Sequence, residues 1–428
     1  MEAVPQLALL AGAQSLKSLL LLETRLQEKQ KEIGHWFEAQ WKKTPPPLYG
    51  SVDLRNAGFK LAPVDMNLFP AGFNNLNPDF LNDVIEAAKG AILDRVPGAK
   101  VIGLIPESHT RNLFYWENVG ALVDILKRAG FQVSVGSLSK DVGPSGEIPL
   151  QSGGRLVLET LVREGAKLRF GAGIPDLILL NNDLSAGIPP LLQHVEQPLF
   201  PPAELGWHQR LKSEHFQYYA ALSKEFAEML GLDSWLFTPL FRYCGEIDFL
   251  RSEGLDCLMA NAKTLLEDIQ KKYQEYGVTQ QPFIIVKADS GTQGMAVMTV
   301  RSVDELSSLN RKQRTSMAKS KGGVPVTRVL VQEGVYTFET FGAEEHVAEP
   351  VVYLWGKHVA GGFYRIHQER GRDENLNSPG MQFESLPFAW SCCSWPRGEM
   401  VHPYQKHLAT YGVIAQLSML AAAREIAG

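Results

Sequence analysis

The stretch Phe283-Ile284-Ile285-Val286-Lys287-Ala288-Asp289-Ser290-Gly291-Thr292-Gln293-Gly294-Met295-Ala296-Val297-Met298-Thr299-Val300 reads as a strand ending in a lysine, a polar turn with two glycines, and a second strand. It is not a Walker A loop, because G-x-x-x-x-G-K-[ST] is missing and no helix follows directly. Two glycines in a polar turn still let backbone N–H groups approach phosphate oxygens, with Lys287 supplying a point charge. Taken alone, these residues fit a plain hairpin with a glycine turn and a surface lysine slightly better.

Working outward, Ser302-Val303-Asp304-Glu305 has capping-box spacing and opens a helix. Residues 328–331 return as a strand that runs into Gln332-Glu333-Gly334-Val335. Residues 348–355 and 358–366 form a hairpin across Gly356-Lys357, with glycine where a type II′ turn wants it. Arg365-Ile366-His367 and the polar loop Asp373-Glu374-Asn375-Leu376-Asn377-Ser378-Pro379-Gly380 follow.

Upstream the pattern is different. Residues 101–105 read as a strand, 114–128 as a helix ending at Gly130, and 131–135 as the next strand. After a loop over 136–154 come a helix over 156–164 and a strand over 177–180. This predicts an α/β fold whose first half is an open, doubly wound sheet, where ligands bind beyond the carboxyl ends of the strands. Those ends are polar: Pro106-Glu107-Ser108-His109-Thr110-Arg111-Asn112 and Asn181-Asn182-Asp183. Arg111 and Asn112 fall near a helix N-terminus that favours an anion, although capping by Ser108, Thr110 or Asn112 explains the same residues.

Leu9, Leu16, Leu19, Leu20 and Leu26 recur at helical spacing over residues 7–40, and Thr44-Pro45-Pro46-Pro47 stops that helix. Glu23 falls on its seam, so the helix reads as packing within the chain rather than as an oligomerisation helix. Pro198, Pro201 and Pro202 mark a boundary before Trp207-His208-Gln209-Arg210-Leu211-Lys212. Those cations could meet an anionic substrate, but read first as a solvated helix face.

The 428 residues imply two or three domains, at about 150 residues each. With 45 % hydrophobic and 21 % charged residues, disorder and disulfide-dense scaffolds are excluded. A formal charge of -5 gives no global drive toward nucleic acid or an anionic membrane. The run Arg311, Lys312, Arg314, Lys319 and Lys321 lacks interleaved aromatics, and so reads as a mobile loop rather than a nucleic-acid patch. Gln14, Ser15, Lys17 and Ser18 interrupt the only leucine-rich run, so no membrane span is expected. The four cysteines, Cys244, Cys257, Cys392 and Cys393, form no disulfide framework or zinc motif and read as small hydrophobes in a cytoplasmic protein.

From about residue 205 to 428 the order of elements resembles the ATP-grasp superfamily, in which two α+β subdomains hold ATP between their sheets. The resemblance implies phosphate contacts from Lys287, Gly291, Thr292 and Gly294, and adenine contacts from Gln332, Glu333 and Val335. The 365–377 stretch resembles the glutathione synthetases.

Three further segments carry a likeness over the whole length: Val52-Asp53-Leu54-Arg55-Asn56, residues 64–75 (Val64-Asp65-Met66-Asn67 through Asn74-Asn75), and Ala360-Gly361-Gly362-Phe363-Tyr364-Arg365. With these the chain resembles the proteobacterial ATP-grasp form of glutamate–cysteine ligase. That implies ATP and Mg²⁺ as cofactors, glutamate and cysteine as substrates, and an acyl-phosphate route in which Lys287 and Arg365 neutralise charge. Arg55 and Arg111 would clamp carboxylates; Asp65, Asn67, Asn74, Asn75 and Asn112 would complete the amino-acid sites. No late Glu-x-Asn pair stands out, so Glu349, Glu374, Asn375 and Asn377 are the metal candidates. The expected division is a packing helix (1–43), a substrate-binding α/β domain (44–202) and two ATP-grasp subdomains (203–330 and 331–428). Another carboxylate–amine ligase, or a silent binding protein of the same fold, remains the alternative.

Overall fold

Strand His346–Trp355 sends alternate side chains into two different cores. Val351, Tyr353 and Trp355 join one cluster, whereas Ala348, Val352 and Leu354 join the other. A strand buried on both faces needs apolar residues at consecutive positions, which explains the unbroken apolar run over residues 350–355. These relations come from a computed structural model, which describes residues 6–7, 15–107, 112–138, 146–171, 173–291, 294–387 and 403–428.

His346–Trp355 is central to a seven-stranded antiparallel sheet. His358–His367 and then Gln382–Leu386 lie on one side of it. On the other side Glu339–Phe341 pairs with its start and Tyr49–Asn56 with its end, and Leu61–Asn67 adds beyond Tyr49–Asn56. Helix Leu81–Arg95 covers one face of this sheet and helix Pro403–Ala427 the other. The Gly356-Lys357 turn forms as expected, with Gly356 at φ +54°.

A second sheet of four antiparallel strands runs in the order Phe241–Cys244, Val329–Glu333, Ile284–Ala288, Val297–Val300. The third is an open sheet in which Leu199–Phe200, Leu177–Asn181, Val101–Pro106, Gln132–Ser137 and Arg155–Thr160 are parallel, with Glu147–Pro149 antiparallel at the edge. Helices Leu81–Arg95 and Leu113–Arg128 share a core with Ile102, Leu104, Leu177 and Leu179 on one face. On the other face Phe170 packs so closely that a Cβ on Gly103 would lie 2.4 Å from its ring.

The α/β class is as expected, but several details differ. Residues 155–164 are strands Arg155–Thr160 and Val162–Glu164, not a helix; the parallel sheet takes up Arg155–Thr160 beside Gln132–Ser137, while Val162–Glu164 pairs with Lys167–Arg169 in a separate two-stranded sheet. The N-terminal helix is two helices, Ser15–Glu28 and Gln30–Lys43, broken at Lys29. Glu23 on its seam is buried against His407 of the C-terminal helix, an intramolecular contact. Ser302 precedes a helix of five residues without a side-chain cap; Asn310 and Gln313 make the capping box instead. The expected boundaries also shift. Tyr49–Asn56 and Leu61–Asn67 belong to the same sheet as residues 339–386, and residue 330 lies inside a strand. Thr292, Arg111, Ser108, Thr110, Cys392 and Cys393 lie outside the described residues.

Candidate active site

One cleft between the four-stranded and seven-stranded sheets gathers most of the predicted residues. Its wall includes Arg55, Asp65, Lys287, Gly291, Gly294, Gln332, Glu333, Val335, Glu349, Arg365, Asn375 and Asn377, and it encloses about 780 Å³ counting its open mouth. Lys287 faces it because Ile285 and Lys287 alternate onto one side of Ile284–Ala288. The strand end is held by Asp289, whose carboxylate accepts from the N–H (2.8 Å) and Oγ (2.7 Å) of Ser213 at the start of helix Lys212–Leu230. Gly291 (φ +119°) and Gly294 (φ +66°) take backbone conformations that side chains resist, and both line the cleft.

The opposite wall is built by strand register. Asp53 and Arg55 alternate onto one face of Tyr49–Asn56; Asp65 stands directly opposite Asp53, and Glu349 opposite Arg365. Glu349 accepts from Arg55 Nε at 2.8 Å and from Arg365 Nη1 at 2.6 Å, and the same Nη1 lies 3.0 Å from Asp53. Lys212 reaches in to contact both oxygens of Asp65, at 2.7 and 2.8 Å. Glu333 is already neutralised by Lys60 from outside the cleft, so the wall sets four cations, Arg55, Lys212, Lys287 and Arg365, against the three remaining carboxylates, Asp53, Asp65 and Glu349. One positive charge is left over for an anion.

Electrostatics follow from that crowding. Burial lowers the Lys287 pKa from 10.5 to about 8, against the pull of Asp65, and its ammonium donates to the Val64 carbonyl at 2.6 Å. Burial raises the Asp53 carboxyl, and Glu349 and Asp65 push it the same way against Arg365. Burial also works on Asp65, but Lys212 and then Lys287 outweigh it and hold the group at about 2. Glu349 is likewise held below its usual range, since Arg55 and Arg365 overcome its burial. Two donors in the cleft, Gln332 Nε2 and Arg365 Nε, are buried without a hydrogen-bond partner. A buried unpaired donor is costly, so both favour a ligand acceptor.

Other predicted residues are placed differently. The Glu333 carboxylate is turned inward, where it takes Lys60 at 2.7 Å, Trp235 Nε1 at 3.0 Å and the Leu240 N–H at 2.8 Å; its side chain is not free for adenine. Asn112 caps helix Leu113–Arg128 by accepting from Phe114 N–H. Asn74 is exposed and bonds Asn75 within a short turn. As metal candidates, Glu349 is occupied by two arginines, Glu374 accepts from Gly371 N–H and Arg370, and Asn375 accepts from Asn377 N–H. Among the described residues no three His, Cys, Asp or Glu side chains gather as a metal cage. Lys212 and Arg210 are not a solvated face: Arg210 is buried on Glu425, and Lys212 lies 4.0 Å from the Trp207 ring centroid.

A second hollow adjoins the first and shares Asp53, Asp65, Arg365 and Asn377 with it. Asn67, Glu107, Tyr115, Asn181 and Asp183 also line it, so the carboxyl ends of two parallel strands open onto the cleft.

A cleft of this kind suits an enzyme that activates one small acid with a nucleotide. The chain matches the family described as glutamate-cysteine ligase over residues 23–426. It is also 47 % identical to a protein from Methylobacillus flagellatus KT, provisionally assigned as a gamma-glutamylcysteine synthetase, whose crystal structure superposes with a TM-score of 0.88. That match covers 100 % of this chain and 99 % of the other. The chain therefore belongs to the glutamate-cysteine ligase family, and is an ATP-dependent ligase. Two more distant structures are a glutathione synthetase like-effector from Globodera pallida (10 % identity, TM-score 0.37, covering 90 % and 83 % of the two chains) and a D-alanyl-alanine synthetase A from Vibrio cholerae (11 %, 0.32, 75 % and 81 %). A search of curated proteins gave no match. Among the described residues, no helix is long and apolar enough to cross a membrane.

Proposed function

We propose that this chain joins the γ-carboxylate of L-glutamate to the amine of L-cysteine in the cytoplasm, giving γ-glutamylcysteine, ADP and phosphate, the first step of glutathione synthesis. A carboxylate oxygen of glutamate attacks the γ-phosphorus of ATP, the bond to the β–γ bridging oxygen breaks, and ADP leaves. The cysteine amine then attacks the acyl carbon, loses a proton, and expels phosphate. No protein nucleophile is needed; the chain has to position the reactants and neutralise charge. Lys287 and the Gly291–Gly294 turn would hold phosphates, Gln332 Nε2 would donate to the base, and Arg365 would face the transferred phosphoryl group. The observation that carries this reading is the shared wall: Asp53, Asp65, Arg365 and Asn377 border both the nucleotide cleft and the adjoining hollow.

Magnesium fits the donor chemistry at a point the sequence reading gave to substrate. Asp53 and Asp65 oppose each other across two strands, and Asn67 follows on the same face; all three line the adjoining hollow. Asp65 is held by Lys212 and the Asn67 amide oxygen accepts from the Phe69 N–H, so the ion would share these oxygens with them; two carboxylates and an amide oxygen are hard donors, and Mg²⁺ commonly needs only one or two carboxylates besides phosphate and water. The like-charge crowding on Asp53 is what such an ion would relieve. Held by Asp53, Asp65 and Asn67, such an ion would supply positive charge to offset that of the phosphates. Phosphate release from ATP tests the proposal: dependence on glutamate and cysteine together supports it, whereas dependence on a different acid–amine pair, or tight ATP binding without turnover, refutes it.

A further inference from the structure

Glu107 and Asp183 leave the carboxyl ends of the adjacent parallel strands Val101–Pro106 and Leu177–Asn181, and both face the hollow beside the nucleotide cleft. Ligands of open parallel sheets bind at this position. The Asp183 N–H donates to Glu107 Oε1 at 3.1 Å, which fixes the pair. Lys321 enters from the other lobe and bridges them, with Nζ 3.1 Å from Glu107 and 2.7 Å from Asp183. Burial and the nearby Asp183 raise the Glu107 carboxyl, so the pair needs a cation.

The hollow is not merely acidic. Arg365, 8 % exposed, borders it with an unpartnered Nε, so a guest carrying an ammonium at one end and a carboxylate at the other meets a complement to each. Lys321 also sits next to the phosphate turn: a Cβ on Gly291 would lie 3.2 Å from the Cβ of Ser320.

We propose that Glu107 and Asp183 are the receptor for the α-ammonium of glutamate, and that Lys321 is an internal placeholder that this ammonium displaces. The assignment to glutamate rather than cysteine follows from the chemistry and rests on the function proposed above. A carboxylate pair stabilises the protonated amine, which suits the amine that does not react. The cysteine amine must attack as the free base, and a site that keeps it protonated would stop it. With Asp65 and Asn67 assigned to the metal, the substrate ammonium also needs another acceptor, and this pair provides it.

The test uses the full-length protein with ATP and Mg²⁺, and compares glutamate with glutarate, which lacks the ammonium. Glu107→Gln and Asp183→Asn should each raise KM for glutamate about tenfold or more, as for a lost charge-assisted bond, while KM for ATP holds. Lys321→Met, which spares the receptor if those variants misfold, should lower KM for glutamate about two- to fivefold, the worth of a half-open ion pair, and leave the response to glutarate unchanged. A KM for glutamate that is unchanged or higher in Lys321→Met overturns the placeholder. Equal movement for glutamate and glutarate also overturns it, because Lys321 would then only hold the lobes together. Wild-type turnover that ignores glutamate overturns the ligase reading itself, and this assignment with it.

Discussion

Replacing Lys287 by methionine should abolish ligation and yet make the folded protein more stable at neutral pH. The side chain is 7 % exposed, and burial lowers its pKa from 10.5 to about 8. At 1.36 kcal/mol per pH unit, that difference corresponds to about 3 kcal/mol spent keeping the ammonium charged in the fold. Methionine fills similar space without charge, but strands the Val64 carbonyl, which costs about 1 kcal/mol. The net gain is about 2 kcal/mol at pH 7. With an unfolding entropy of about 2.1 cal/mol/K per residue over 428 residues, this raises the thermal midpoint by about 2 °C. The pH dependence has a definite sign. Below about 8 the lysine is charged in both states, and the fold bears the full cost. As pH rises from about 8 toward 10.5, the folded lysine sheds its proton first, the cost fades, and the advantage of the variant disappears. Phosphate release should fall by about a hundredfold or more, the scale of losing one fixed charge at a transferring group. Thermal midpoints of both proteins at pH 7 and pH 10, with phosphate release at pH 7, check this. A variant less stable at pH 7, or a difference that ignores pH, would refute the claim that Lys287 is held charged against its surroundings to await an anion.

Lys60→Met should destabilise the protein by about 3–5 kcal/mol by leaving the Glu333 carboxylate without its buried cation, and Glu333→Gln added to it should recover part of the loss, as read from urea midpoints. Gly294→Val places a Cβ 2.8 Å from the Asn377 carbonyl at φ +66°, a strain of about 1–2 kcal/mol; the turn should hold ATP about tenfold more weakly in a fluorescent-nucleotide titration, with the thermal midpoint little changed. Asp53→Asn should move the Mg²⁺ dependence of ADP release to higher concentration and weaken Mn²⁺ binding followed by electron paramagnetic resonance; an unaltered metal titration would remove Asp53 from the metal site.

What the chain discloses by itself depends on how locally it is encoded. Lys287, Gly291 and Gly294 were legible because one strand and its own turn hold them, so alternation and glycine placement were enough. The Asp53, Asp65 and Asn67 group proposed to hold the metal is not legible in the sequence, because its grouping lies in which residues stand opposite one another. Glu349 misleads for a related reason: Arg365 faces it across their own hairpin, but its other partner, Arg55, comes from a strand 294 residues away. Arg210 and Lys212 lie in a polar run at the start of a helix, which ordinarily marks a wet face; only Glu425 and Asp65, both distant in sequence, bring them inside. Over residues 155–164 the apolar spacing suited either period, and an unfilled sheet edge decided for strand.

The way Tyr49–Asn56 enters the seven-stranded sheet also bears on how the molecule comes off the ribosome. Its partner on one side, Leu61–Asn67, is available almost at once, but its other edge is closed by His346–Trp355, and Arg55 must wait 294 residues for Glu349. At about 5–20 residues per second, that is roughly 15–60 s of synthesis during which an apolar strand edge stays open. Such an edge invites pairing with another chain. Chaperone demand should therefore fall on the first half of the nascent protein, and a fragment ending before residue 346 would carry Arg55 without Glu349 and Asp53 without Arg365.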